Sequence, residues 1–113
     1  MAVYVDDLRV REPRNSEARN AGIRYRQHWC HMWADWDYEI FEMAMSIGLK
    51  PYWAHEEHAL THFDLVPTKR TRAIQRGAIE MEISEWHAHR ANGTLQEAIQ
   101  QALNAFIERN SRF

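Results

Sequence analysis

Apolar and polar positions along the chain mark out short strand-like runs in its first two thirds and one long helical stripe at its end. Ala2 to Val5 is an apolar run of β-forming residues that stops at two acids, Asp6 and Asp7, which predicts a buried first strand. From Leu8 to Gln27 the chain is polar and rich in Arg, and Pro13, Asn15, Ser16, Asn20 and Gly22 interrupt any periodicity, so this stretch reads as a long loop. Asp35 offers an N-cap. Trp36, Ile40, Met43, Ala44 and Ile47 follow it at helical spacing, with Asp37 and Glu39 in the first turn. Gly48, Leu49 and Pro51 then supply a left-handed stop, a hydrophobic clasp and a residue unable to continue the helix.

In the second half, Tyr52 to Ala54 reads as a short strand and Thr61 to Val66 as a stronger one. Phe63 and Leu65 alternate there with His62 and Asp64, which puts His62 and Asp64 on one face. Pro67 starts a basic helix through Lys69, Arg70, Arg72 and Ile74 that ends at Gly77. Ile79, Met81 and Ile83 alternate with Glu80 and Glu82 as a further strand with one wet face. Thr94 and Glu97 have the capping-box spacing. Leu95, Ala98, Ile99, Ala102, Leu103 and Phe106 lie along one stripe, an amphipathic C-terminal helix over residues 94–110. This order predicts the α/β class, a small, partly parallel sheet packed with helices, with 1–113 as a single domain.

Composition agrees that the chain folds: 45% of residues are apolar, 27% are charged, and there are five Trp, four Tyr and four Phe. No apolar run approaches the roughly 18 residues of a membrane span, and charges occupy the place of a secretory signal's apolar stretch. Membrane insertion and export are therefore not expected. The single cysteine, Cys30, allows no internal disulfide and points to a reducing, cytoplasmic setting. A formal charge of -2 argues against a polyanion binder held by global charge. Residues 1–30 carry six Arg against four acids, residues 31–64 seven acids against one Lys, and residues 65–90 five bases against three acids. Such a pattern suits an acidic cation site flanked by basic arms for a phosphate-bearing ligand, and it suits a salt-bridged solvated surface better still.

The candidate chemistry follows from where strands end. Ligand pockets of parallel sheets open at the carboxyl ends of the strands. Asp6 and Asp7 end the first strand, His31 and Asp35 precede the helix at Trp36, and His62 and Asp64 lie on the strand before the basic helix. These residues are expected to converge on one edge. Imidazole with carboxylate suits a divalent metal, Mn, Mg or Zn, held by Asp6, Asp7, His31, Asp35, His62 and Asp64. A metal-free acid/base pair is also open, with His62 carrying the proton and Asp64 or Asp35 orienting it. In the competing structural reading Asp35 only caps its helix, His62 and Asp64 bond each other, and His31 satisfies loop backbone. Lys69, Arg70 and Arg72 at the start of the basic helix are candidates to clamp a phosphate beside the free N–H groups. The loop arginines Arg9, Arg11, Arg14, Arg19, Arg24 and Arg26 would close over an anion or bind a protein, and Tyr25, Trp29, Trp33 and Trp36 are candidates to stack a base.

Val3-Tyr4-Val5-Asp6-Asp7, His31-Met32-Trp33-Ala34-Asp35, Glu39-Ile40-Phe41 and Ile47-Gly48-Leu49 are followed by Trp53, His62-Phe63-Asp64-Leu65, Pro67, Lys69-Arg70 and Gly77-Ala78. In these pieces the chain resembles the bacterial and phage family known as domain of unknown function 4031, over residues 2–83. The resemblance implies a bacterial or phage-encoded cytoplasmic protein and names no reaction. One departure stands out, since the family usually has Glu-Leu-His where this chain has Glu39-Ile40-Phe41; a role for that histidine does not transfer.

Other motifs fail on spacing. His28, Cys30 and His31 lack the second ligand pair of a zinc knuckle. His55-Glu56-Glu57-His58 does not place two histidines four apart on one helical face, as zinc-protease chemistry requires. His58 and His62 do have that spacing, but they straddle a strand start. The expected function is a small protein whose Asp/His site binds or hydrolyses a nucleotide or nucleic-acid end with a divalent metal. The alternative is a non-catalytic protein that docks on a host protein through the Arg loop and a Trp-rich surface.

Overall fold

The sheet is built around a strand that no alternation of apolar and polar residues announces. The computed structural model describes residues 2–10, 28–56 and 60–111. Its elements are β1 (Val3–Val5), β2 (Arg9–Val10), β3 (His28–Ala34), α1 (Asp37–Ser46), a 3-10 turn (Pro51–Trp53), β4 (His62–Leu65), α2 (Pro67–Gln75), β5 (Ile79–Glu80), α3 (Ile83–Asn92) and α4 (Leu95–Asn110). β3 pairs antiparallel with β1, β2 and β4, while β1 pairs parallel with β5, so the five-stranded sheet is mixed. The class is α/β as expected. The rule about carboxyl ends of parallel strands does not govern this sheet, because among the described residues only the β1–β5 pairing is parallel.

Both faces of β3 are covered, and this hides the strand from a pattern reading. Cys30, Met32 and Ala34 face the aliphatic side with Val3, Val5, Phe63 and Leu65, all buried. α1 lies over that side, its Phe41 ring edge-on to Phe63 at 5.8 Å. α2 lies beside α1, and the Lys69 ammonium donates to the Ile47 carbonyl at 2.7 Å. On the opposite face Trp29, His31 and Trp33 share a side with Tyr4, His62 and Asp64. There Trp33 stacks on Tyr4, and Trp86 of α3 packs edge-on to Trp33.

Several local expectations are corrected. The helix at residue 37 has Trp36 as its N-cap with no side-chain cap bond, so Asp35 is not a cap. Residues 51–53 form a 3-10 turn, since Pro51 at its start favours a helical turn over a strand. The alternation from Ile79 stops after two strand residues, and Ile83 opens a helix whose one deeply buried side chain is Trp86. Thr94 precedes the last helix without a side-chain cap bond; its hydroxyl instead meets His89 Nδ1 at 2.8 Å. In that helix Ala98 is buried, but Phe106 is only half-buried and Leu103 is exposed. Of the expected loop, residues 9–10 form β2, and 11–27 lie outside the described residues. Both glycine stops hold: Leu49 N donates to Ala44 O and Ala78 N to Ala73 O, each with a positive-φ glycine before it.

Candidate metal centre

The site begins with a slip in strand pairing. Val5 stands opposite Met32, whereas Arg9 stands opposite Trp29, one residue out of the register that β1 sets. At the slip the Asp6 carboxylate takes over the ladder's role: Oδ1 accepts the His31 backbone N–H at 2.7 Å. Its second oxygen, Oδ2, lies 2.8 Å from His31 Nδ1. A carboxylate accepts only, so Nδ1 carries a proton, and in the neutral form of the ring the lone pair is on Nε2.

β4 brings the other half. His31 is paired with Asp64 and Trp33 with His62, so the two imidazoles meet across the strands with centroids 5.5 Å apart. His62 Nδ1 lies 3.2 Å from the Leu60 carbonyl, which also accepts only. This ring too has its proton on Nδ1 and its lone pair on Nε2. Burial pushes the His62 imidazole below the ordinary histidine value, against the opposite pull of the Leu60 carbonyl and the Asp64 carboxylate, which favours the neutral ring. Asp64 is buried, and its Oδ1 lies 3.9 Å from His62 Nε2.

His31, His62 and Asp64 each offer a ligand atom, all within 4.8 Å of one another. Two imidazole nitrogens and a carboxylate oxygen are a donor set suited to a divalent cation. The group can hold a metal ion; zinc sites place such ligands about 2.0–2.2 Å from the metal. The outer contacts also match a metal centre, in which a ligating imidazole gives its other N–H to a carboxylate or carbonyl.

A fourth polar residue completes the cluster and was not among the sequence candidates. His55 forms a paired bridge with His62 through two 2.8 Å backbone hydrogen bonds, stacks on its ring at 5.2 Å and reaches Asp64 Oδ2 with Nε2 at 3.1 Å. Only strand pairing brings residues 55 and 62 face to face, so the sequence carried no local signal beyond the count of histidines.

The remaining candidates go elsewhere. Asp35 shares the sheet side of His31 but sits about 13 Å further along at strand spacing. There its carboxylate accepts from Ala2 N at 2.9 Å, from Tyr4 Oη at 3.0 Å and from Trp86 Nε1 at 3.1 Å. Its surroundings are structural. Asp7 is exposed, and its backbone N–H donates to Glu82. Arg70 Nε donates to the Asp6 carbonyl at 2.9 Å, and its terminal nitrogen pairs with Glu80 at 3.2 Å, so it braces the end of β1. Lys69 is engaged at the end of α1, and Arg72 lines a cleft with Ser46, Gln75 and Arg76. Lys69 and Arg72 thus meet α1 and α2, while Arg70 reaches the backbone of Asp6, whose carboxylate holds His31. Trp29 and Trp33 are buried, Trp36 is exposed, and Tyr25 and His58 lie outside the described residues. Phe41, where the resembled family usually has histidine, packs on the aliphatic side, across the sheet from His31 and His62.

Among the described residues no helix is long and apolar enough to cross a membrane. No curated protein and no solved structure matches the chain. A family profile does match, over residues 3–92, which takes in β1 through α3, including all four cluster residues and Asp6, and stops before α4. The chain belongs to the family described as protein of unknown function (DUF4031).

Proposed function

We propose that the protein is a metal-dependent binder or hydrolase of a phosphate-containing compound, with His31, His62 and Asp64 as the metal ligands. The observation that carries this reading is the pair of imidazoles held by Nδ1, with their Nε2 atoms left to meet a carboxylate. Two nitrogens and one oxygen favour zinc or manganese over magnesium, which prefers an oxygen shell. Three protein ligands leave positions for water and for a substrate oxygen. When held by His31, His62 and Asp64, a cation would supply Lewis-acid polarisation of a phosphoryl group and activation of a water as nucleophile. A nucleotide or nucleic-acid end supplies such a group. A bacterial or phage-encoded protein of the reducing cytoplasm suits the lone, buried Cys30. Docking on a host protein has less to work with, because Trp29 and Trp33 are buried.

The test is thermal unfolding with manganese or zinc, followed by addition of a nucleotide. A cation at a hundred times its dissociation constant should stabilise the fold by about 2.7 kcal/mol. His62→Ala and Asp64→Asn should abolish that gain. Indifference of the unmodified protein to every divalent cation would end the metal reading. A cation response with no further nucleotide effect would end the phosphate reading alone.

A further inference from the structure

The three imidazoles of the cluster fall into two kinds, and the difference assigns a role to the one that was unexpected. His31 and His62 each give Nδ1–H to an acceptor and keep Nε2 for a cation. His55 is reversed at that atom. Its Nε2 lies 3.1 Å from Asp64 Oδ2, and contact with a carboxylate oxygen requires the proton there. A protonated nitrogen is not a ligand. Building on the metal reading above, we infer that His55 is a positioning residue that donates Nε2–H to Asp64 Oδ2 and so presents Oδ1 to the cation beside His31 and His62.

The backbone makes this possible. The bridge between His55 and His62 locks their main chains together, and their rings stack with planes 19° apart. His55 is buried, as is Asp64, so the contact is shielded from water. Held at one oxygen, Asp64 has its other oxygen on the side of His62, at 3.9 Å from Nε2. Without His55 the carboxylate would lose the contact that orients Oδ2, which weakens its use as a ligand although no ligand is removed. Outer partners of this kind typically change metal affinity by about 10–100-fold.

The experiment is titration of the full chain with cobalt alone, followed by its visible absorption. The variants are His55→Ala and His55→Gln, with circular dichroism confirming the fold of each. His55→Ala should bind cobalt about 10–100-fold more weakly. His55→Gln, which retains a side-chain N–H donor, should recover most of the loss. The band positions and intensities of all three saturated proteins should agree, because the ligand set is unchanged. A changed spectrum in His55→Ala would make His55 a ligand and overturn the inference. Equal affinity in His55→Ala and the unmodified protein would overturn it as well, as would a Gln variant no better than Ala. No cobalt binding by the unmodified chain would instead bring down the metal reading and this inference with it.

Discussion

Asp35 illustrates how one carboxylate serves stability when both its oxygens accept hydrogen bonds within the fold. The Tyr4 hydroxyl, the Trp86 indole and the Ala2 amide all donate to it. Burial first, and then Asp35, push the Tyr4 phenol well above its ordinary value, so it stays a donor throughout the working pH range. Tyr4 and Trp86 are fully or nearly buried, and removing their shared acceptor leaves two donors without water. Each orphaned buried donor costs about 1–3 kcal/mol. Asp35→Ala should therefore lose about 3 kcal/mol or more in urea unfolding, and a fold that tolerates it within 1 kcal/mol would refute the network. Cobalt affinity of that variant, where it remains folded, should match the unmodified protein, because Asp35 is no part of the imidazole group.

At the scale of elements, side chains that resemble ligand-binding groups turn out to hold helices and strands in place. Lys69 caps the carbonyl end of α1 through Ile47, where a cation also meets the negative end of the helix dipole. Gly48, at φ +87°, makes the turn that brings the chain past this lysine, and a Cβ there would come within 3.0 Å of Nζ. Lys69→Met keeps the aliphatic stem and removes the charge. It should cost about 1 kcal/mol, the scale of a helix-end charge and its hydrogen bond, and leave any binding of nucleotide unchanged. Loss of nucleotide binding with unchanged stability would return Lys69 to the ligand site. Elements also show where local reading fails. Ile79, Met81 and Ile83 have the spacing of a strand, yet pairing with β1 ends at Glu80, and the chain turns into α3 to deliver Trp86 onto Tyr4 and Trp33.

Across the whole molecule, the largely buried His62 imidazole ties folding to pH. His62 is held below the ordinary histidine value of about 6.5, so between that value and its folded one the unfolded chain binds more protons than the native state. Stability from this group is therefore complete above about pH 6.5 and declines as pH falls through the folded value. Melting temperatures of the metal-free protein should rise with pH up to about 6.5, and His62→Gln should flatten that rise; an unchanged slope in the variant would assign the effect to other groups. What the amino-acid sequence alone dictated was short-range. Same-face placement of His62 and Asp64 follows from strand alternation, the ends of α1 and α2 from Gly48 and Gly77, and the start of α2 from Pro67, because each depends on neighbours a few residues away. The pairing of β3 with β1 and β4 does not. A strand buried on both faces has no alternation to detect, and nothing local in His28–Ala34 says which chain will lie beside it. Tertiary structure therefore decided that His31 meets Asp64, that His55 joins them, and that Asp35, equally acidic and only four residues from His31, is drawn into the aromatic core instead.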